Sequence, residues 1–130
     1  MAKRLTYPNV ERVLIDYLPS STSFDWMAPG SHDVGSRVPV GIVERVGGSI
    51  GDVDRSPSVE VTVVAATRTG VWMLVQQVEA AFVELAAAPA GLTYIDDVRE
   101  IFGFAIDPDR HSDRYTTATA TYSLTLRPQD

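Results

Sequence analysis

The chain has no cysteine. A disulfide, a thiolate metal site and a cysteine nucleophile are therefore excluded, and the redox compartment stays open. Positive charge is nearly as scarce. Lys3 is the sole lysine beside ten arginines, and 17 acidic residues bring the formal net charge to −6. A tight passive grip on nucleic acid needs clustered Lys and Arg that release counterions, so this balance argues against one. Long apolar runs are also missing. The best stretch, Val71 to Val78, is interrupted by Gln76 and Gln77 and closed by Glu79, short of the about 18 residues a membrane span needs. Met1-Ala2-Lys3-Arg4 is basic, but Thr6-Tyr7-Pro8-Asn9 follows it, so no apolar signal-peptide core is present. These absences predict a soluble protein made in the cytoplasm.

What is present fits one domain over residues 1–130, within the usual ~100–150. Pro8 suits the first turn of a helix and Glu11 its positive end. Val10, Val13, Leu14, Tyr17 and Leu18 fall at helical spacing, and Pro19 ends the run. Ser20 to Arg37 is rich in Ser, Thr, Gly and Pro and reads as a loop with a short extended piece around Phe24 to Met27. Val38 to Val46 reads as a strand with Val38, Val40 and Ile42 on one face, and Pro39 places it at a sheet edge or a strand start. Gly47-Gly48-Ser49-Ile50-Gly51-Asp52 breaks it and Pro57 ends the break. Val59, Val61 and Val63 then alternate with polar residues as a half-buried strand. The pair makes a long hairpin.

A second helix, capped near Thr69, carries Val71, Leu74, Val75, Val78, Phe82 and Leu85 in one stripe, with Gln77, Glu79 and Glu84 away from its centre. Pro89 and Gly91 stop it. Leu92 to Phe104 fits helical spacing, but its aromatic and β-branched content favours a strand. Ala105 to Arg114 is a polar turn region. From Tyr115 to Arg127, Ala118, Ala120, Tyr122, Leu124 and Leu126 alternate with Thr and Ser as a last strand. The predicted fold is α+β: one mixed or mainly antiparallel sheet of four to five strands, with two main helices on one face.

Each candidate for chemistry meets a plainer reading. Asp107, Asp109, His111 and Asp113 alternate like the start of a calcium loop, but Ser112 stands where glycine is needed and Ala118 where glutamate is needed. Arg110 and Arg114 would also oppose a cation, so a charged loop is the better account. His32 and His111 sit among polar loop residues, and no G-x-S-x-G elbow exists. Gly47 to Gly51 leads into a strand with no lysine after it, unlike a phosphate cradle. Adjacent Asp96 and Asp97 point to opposite faces of a strand. Trp72 flanks the helix stripe and reads as packing. Trp26, in a loop-rich segment, is the better partner contact. No catalytic residue, metal or cofactor is expected.

The succession of weak motifs is more telling. Tyr7-Pro8-Asn9-Val10-Glu11 opens the first helix, and a strand runs Val38-Pro39-Val40-Gly41-Ile42-Val43-Glu44-Arg45-Val46-Gly47-Gly48. An acidic, Pro-containing loop leads to Val59-Glu60-Val61 and an alanine-rich helix. Ile95-Asp96-Asp97-Val98-Arg99-Glu100, Pro108-Asp109 and Tyr122-Ser123-Leu124-Thr125-Leu126-Arg127 complete the order. Over nearly its whole length this resembles the tail terminator, or tail completion, proteins of actinobacterial long-tailed, non-contractile phages.

The resemblance implies a structural virion protein at the head-proximal end of the tail, assembled in the host cytoplasm. It implies a homohexameric ring that caps the tail-tube protein, ends tube growth and meets the head-side connector or stopper, while DNA passes through the lumen without specific binding. A heterologous ring needs two different, complementary patches on each subunit. Loops reach furthest from a scaffold, so the hairpin tip with Gly48, Asp52, Asp54 and Arg55 is one candidate. The other is the loop Ile106 to Arg114 with Asp107, Asp109, Arg110, Asp113 and Arg114, and Trp26 joins them. Six copies of a −6 chain carry −36, which predicts a lumen that is acidic or neutral. Two alternatives remain at this point: another neck or stopper-type subunit, and a small ligand-binding or hydrolase α+β domain.

Overall fold

The computed structural model describes residues 9–29, 37–50, 55–87, 95–107 and 114–126. The elements run α1 (Val10–Ser21), β1 (Asp25–Met27), β2 (Val40–Ile50), β3 (Arg55–Ala65), α2 (Arg68–Ala87), β4 (Ile95–Ile106) and β5 (Thr116–Leu126). The strands form one five-stranded sheet in the order β1-β2-β3-β5-β4. Only the β1–β2 pair is parallel. The mixed sheet and the two helices agree with the α+β expectation.

Alternation decides which face is which. On β3, Val59, Val61 and Val63 point into the main core; on β5, Ala118, Ala120, Tyr122, Leu124 and Leu126 do the same. Both helices cover this face. α1 contributes Val10, Leu14 and Leu18, and α2 contributes Val71, Leu74, Val75, Val78, Ala81, Phe82 and Leu85. Each fully buried Val or Leu stabilises by ~1.5–3 kcal/mol relative to exposure, so the two stripes hold the layers together. The Tyr17 hydroxyl ties the helices by donating to the Ala81 carbonyl at 3.0 Å. The opposite face is a Ser/Thr surface with a small apolar cluster at one end: Met27, Val40 and Val64, joined by Val38, Ile42 and Tyr115.

The boundaries differ from the sequence reading in physical ways. α1 begins at Val10, capped by Asn9, whose side chain accepts from the Arg12 amide at 3.3 Å; Pro8, expected in the first turn, lies outside the described residues. Pro19 does not end α1, which runs on to Ser21. Hydroxyls satisfy the last carbonyls instead: Ser20 donates to Tyr17 O and Thr22 to Leu18 O. The cap of α2 is Thr67, whose Oγ1 accepts from the Gly70 amide at 3.0 Å, so Thr69 is already inside the helix. Pro89 and Gly91 lie outside the described residues.

Gly47 and Gly48 do not break β2. The register shifts between Arg45 and Gly47, leaving Val46 as the extra residue of a bulge, and Gly47 takes φ 152°. Glycine supplies the positive φ that the bulge needs, and the strand continues to Ile50. Pro57 is likewise inside β3, opposite Gly48, where the pairing with β5 is interrupted. At the other end, β4 continues through Ala105 and Ile106, which the polar-turn reading had excluded.

Candidate subunit interface

Three of the sequence candidates, Trp26, Gly48 and Asp107, have defined surroundings among the described residues. Trp26 is corrected: it is 6% exposed and belongs to the core. Its indole N–H donates to Thr22 Oγ1 at 2.8 Å, and its ring lies against Phe24 at 5.1 Å. Gly41, its neighbour across the β1–β2 pair, makes room, because a Cβ there would collide with the ring. Gly48 is a paired strand residue and not part of a loop. Asp107 follows β4 directly and its amide donates to Thr117 O at 2.8 Å, which holds the base of the later loop. Arg55 begins β3, and Arg114 is exposed just before β5. Asp52, Asp54, Asp109, Arg110 and Asp113 lie outside the described residues, as do His32 and His111. Among the described residues no three His, Asp or Glu side chains converge as metal ligands.

Three of the five large apolar residues exposed among the described residues lie on β4 and on α2 next to it. β4 is an edge strand, and its ladder with β5 shifts register three times. Those shifts turn Phe102 outwards at 70% exposure, with Ile101 at 45%; Val83 on the adjacent stretch of α2 is 71% exposed. Between α2 and β4 runs a groove of about 300 Å³ lined by Glu79, Phe82, Val83, Val98, Glu100 and Tyr122, with Ala86 at its end.

Its floor is aromatic. Tyr122 stacks on Phe82, centroids 4.1 Å apart and rings within 12° of parallel, and Phe104 tilts against it at 6.4 Å. Burial, then the charges of Glu100 and of Glu79, raise the Tyr122 phenol well above its ordinary value of 10.0. The phenol is thus neutral beneath two carboxylates. Sequence alternation marked Tyr122 as core but gave no sign of the groove, because Glu79, Glu100 and Tyr122 meet only through tertiary packing. The available signal was Ile101-Phe102, two large apolar residues in succession on a strand, of which one must face outwards on any register.

On the helix-free face a wider, polar depression of about 520 Å³ is lined by Ser56, Ser58, Asp97, Arg99, Ile101, Ser123 and Thr125. It holds one carboxylate and one guanidinium among hydroxyls, with no nucleophile–base pair.

The described residues form an α+β subunit with an open edge strand, a groove and a hydroxyl-lined sheet face. The comparison with protein families is specific: a model of the phage tail termination protein family matches residues 6–130. The chain belongs to that family, which is structural and not catalytic, and its place is the virion tail. No curated protein matches the chain. None of the described helices is long and apolar enough to cross a membrane.

Proposed function

We propose that the chain forms a homohexameric ring on the last ring of tail-tube subunits, stops tube polymerisation and presents a surface to the head-side connector or stopper of a long-tailed, non-contractile phage. The observation that carries this reading is the family match across residues 6–130. Two further features support it. The two edges of the sheet differ in chemistry, as head-to-tail contacts require. The net charge of −6 suits a lumen through which DNA moves without being held. The hairpin tip with Gly48, Asp52, Asp54 and Arg55 and the loop Ile106 to Arg114 serve subunit contacts, and Asp52, Asp54, Asp107, Asp109 and Asp113 supply lumen carboxylates. Arg55, Arg110 and Arg114 pair with acidic neighbours, each exposed pair contributing only ~0–1 kcal/mol.

The test is imaging of tails made with and without the protein. Wild-type tails are expected to end in a six-fold ring at the head-proximal end, and tails lacking the protein to grow past their normal length and stay unjoined to heads. A ring of another subunit number, or tubes of normal length in its absence, would contradict the proposal.

A further inference from the structure

We propose that Arg45 of one subunit enters the α2–β4 groove of the next copy of this chain, where Glu79, Glu100 and the Tyr122 hydroxyl receive its guanidinium. The inference rests on the ring reading and names the contact that closes the ring.

The first argument is register. Arg45 pairs with Val59, Val59 pairs with Tyr122, and Tyr122 pairs with Glu100. One row of residues therefore crosses the sheet from the outer side of β2 to the outer side of β4, with Arg45 at one end and Glu100 at the other. Both ends also lie in the same layer. Arg45 follows Val43 by two residues and so shares its helix-covered face, and the groove lies between that face and α2. In a head-to-tail repeat whose ring direction follows this row, Arg45 of one copy stands level with Glu100 of its neighbour.

The second argument is vacancy. Beyond Ile42 no strand covers the outer side of β2 among the described residues. Arg45 is exposed there and its guanidinium makes no ion pair with the described residues. In the groove, Tyr122 is 3% exposed, yet its hydroxyl has no hydrogen-bond partner among the described residues. The oxygen lines the groove and is open there to a donor. Glu79 and Glu100 are likewise without an ion pair among the described residues.

The third argument is chemistry. A guanidinium offers several planar donors and tolerates desolvation better than an ammonium. It can therefore bridge two carboxylates and a phenol oxygen over an aromatic floor. Ten of the eleven basic residues are arginines. Apolar groups frame both halves: Val46, 49% exposed, stands beside Arg45, and Val83, 71% exposed, lines the groove. Water is thereby kept from the pair, which raises its worth above that of an exposed one.

The decisive experiment is a charge exchange between two variants, Arg45→Glu and Glu100→Arg, each shown to fold by circular dichroism and thermal unfolding. They are added singly and together to extracts containing uncapped tail tubes, and capped tubes are counted by electron microscopy. Each variant alone places like charges at every subunit contact, and capping is expected to fall by at least about tenfold. Mixed in equal amounts they can alternate, so that each contact again joins an arginine to a glutamate, and capping is expected to return. Arg45→Gln, which adds no repulsion, is expected to weaken capping by a smaller factor. The proposal is overturned if either charge variant caps like wild type, if Arg45→Gln is unchanged, or if mixing restores nothing. A wild-type chain that forms no ring on tubes would remove the ring reading itself, an outcome distinct from these.

Discussion

β4 and β5 are neighbours in one ladder, yet they behave as opposite kinds of strand. β5 keeps a strict alternation, with Ala118 and Leu124 at 0% exposure, and lies between β3 and β4. β4 slips register three times and leaves Phe102 and Ile101 in the open. A strand flanked on both sides has its register fixed by burial, because a one-residue slip would move every apolar side chain to the wrong face. An edge strand is released from that demand on one side, and bulges there re-aim side chains outwards. Regularity therefore marks what holds this subunit together, and irregularity marks what it leaves exposed.

Four substitutions sharpen or break that contrast. The largest loss is expected for Leu124→Ala on β5, ~2–5 kcal/mol from lost burial and the cavity left behind, measured by denaturant unfolding. Ala120→Leu, on the same face and 1% exposed, is expected to cost ~1–3 kcal/mol by overpacking against the helices. If either behaved like a surface change, the role assigned to β5 would be wrong.

Tyr122→Phe tests the border between the two strands. The phenol of the folded chain holds its proton above the ordinary value of 10.0, while that of the unfolded chain loses it near 10.0. Its contribution is therefore intact below about pH 10 and falls as the pH rises further. The Phe variant is expected to lose less stability than wild type between neutral pH and pH values above 10.0, and to differ little at neutral pH. An unchanged alkaline slope would show that Tyr122 does not set it. The smallest effect on stability is expected on β4: Phe102→Ser should stay within ~0.5 kcal/mol while reducing tube capping. A large loss of folding stability there would make β4 a core strand after all.

The same contrast explains what could be read from the sequence. The α2 stripe and the β5 alternation were legible because each buries one face along a regular period; all six apolar residues named for α2, from Val71 to Leu85, are buried. Gly47 and Gly48 misled because glycine serves a break and a bulge equally well, and pairing with β3 decides between them. Trp26 misled because its burial depends on the space above Gly41, a contact across strands that local composition does not encode. The candidate interface was the least legible part. The charge clusters visible in the sequence lie in loops, many residues of which fall outside the described residues, whereas the groove arises from Glu79 on a helix meeting Glu100 and Tyr122 on two strands. None of those three stands out in its own neighbourhood. Gln77 shows the same limit: at the margin of the stripe, it accepts from the Ser23 amide at 2.8 Å and so helps to anchor the chain after α1.

One contact at the far edge of the sheet bears on storage. A bare outer strand is a template for further strands, and a chain that adds to itself without closing grows into a fibre. Here the Glu11 carboxylate reaches from α1 and takes the Arg45 amide at 2.7 Å. A β4 strand from another copy would approach β2 antiparallel and would need that amide. With it occupied, copies can meet by side chains but cannot zip backbone to backbone along this stretch. The contact therefore opposes open-ended growth of the free chain through this edge. Glu11→Ala is expected to shorten the shelf life of concentrated solutions, visible as rising light scattering, before it changes the unfolding midpoint.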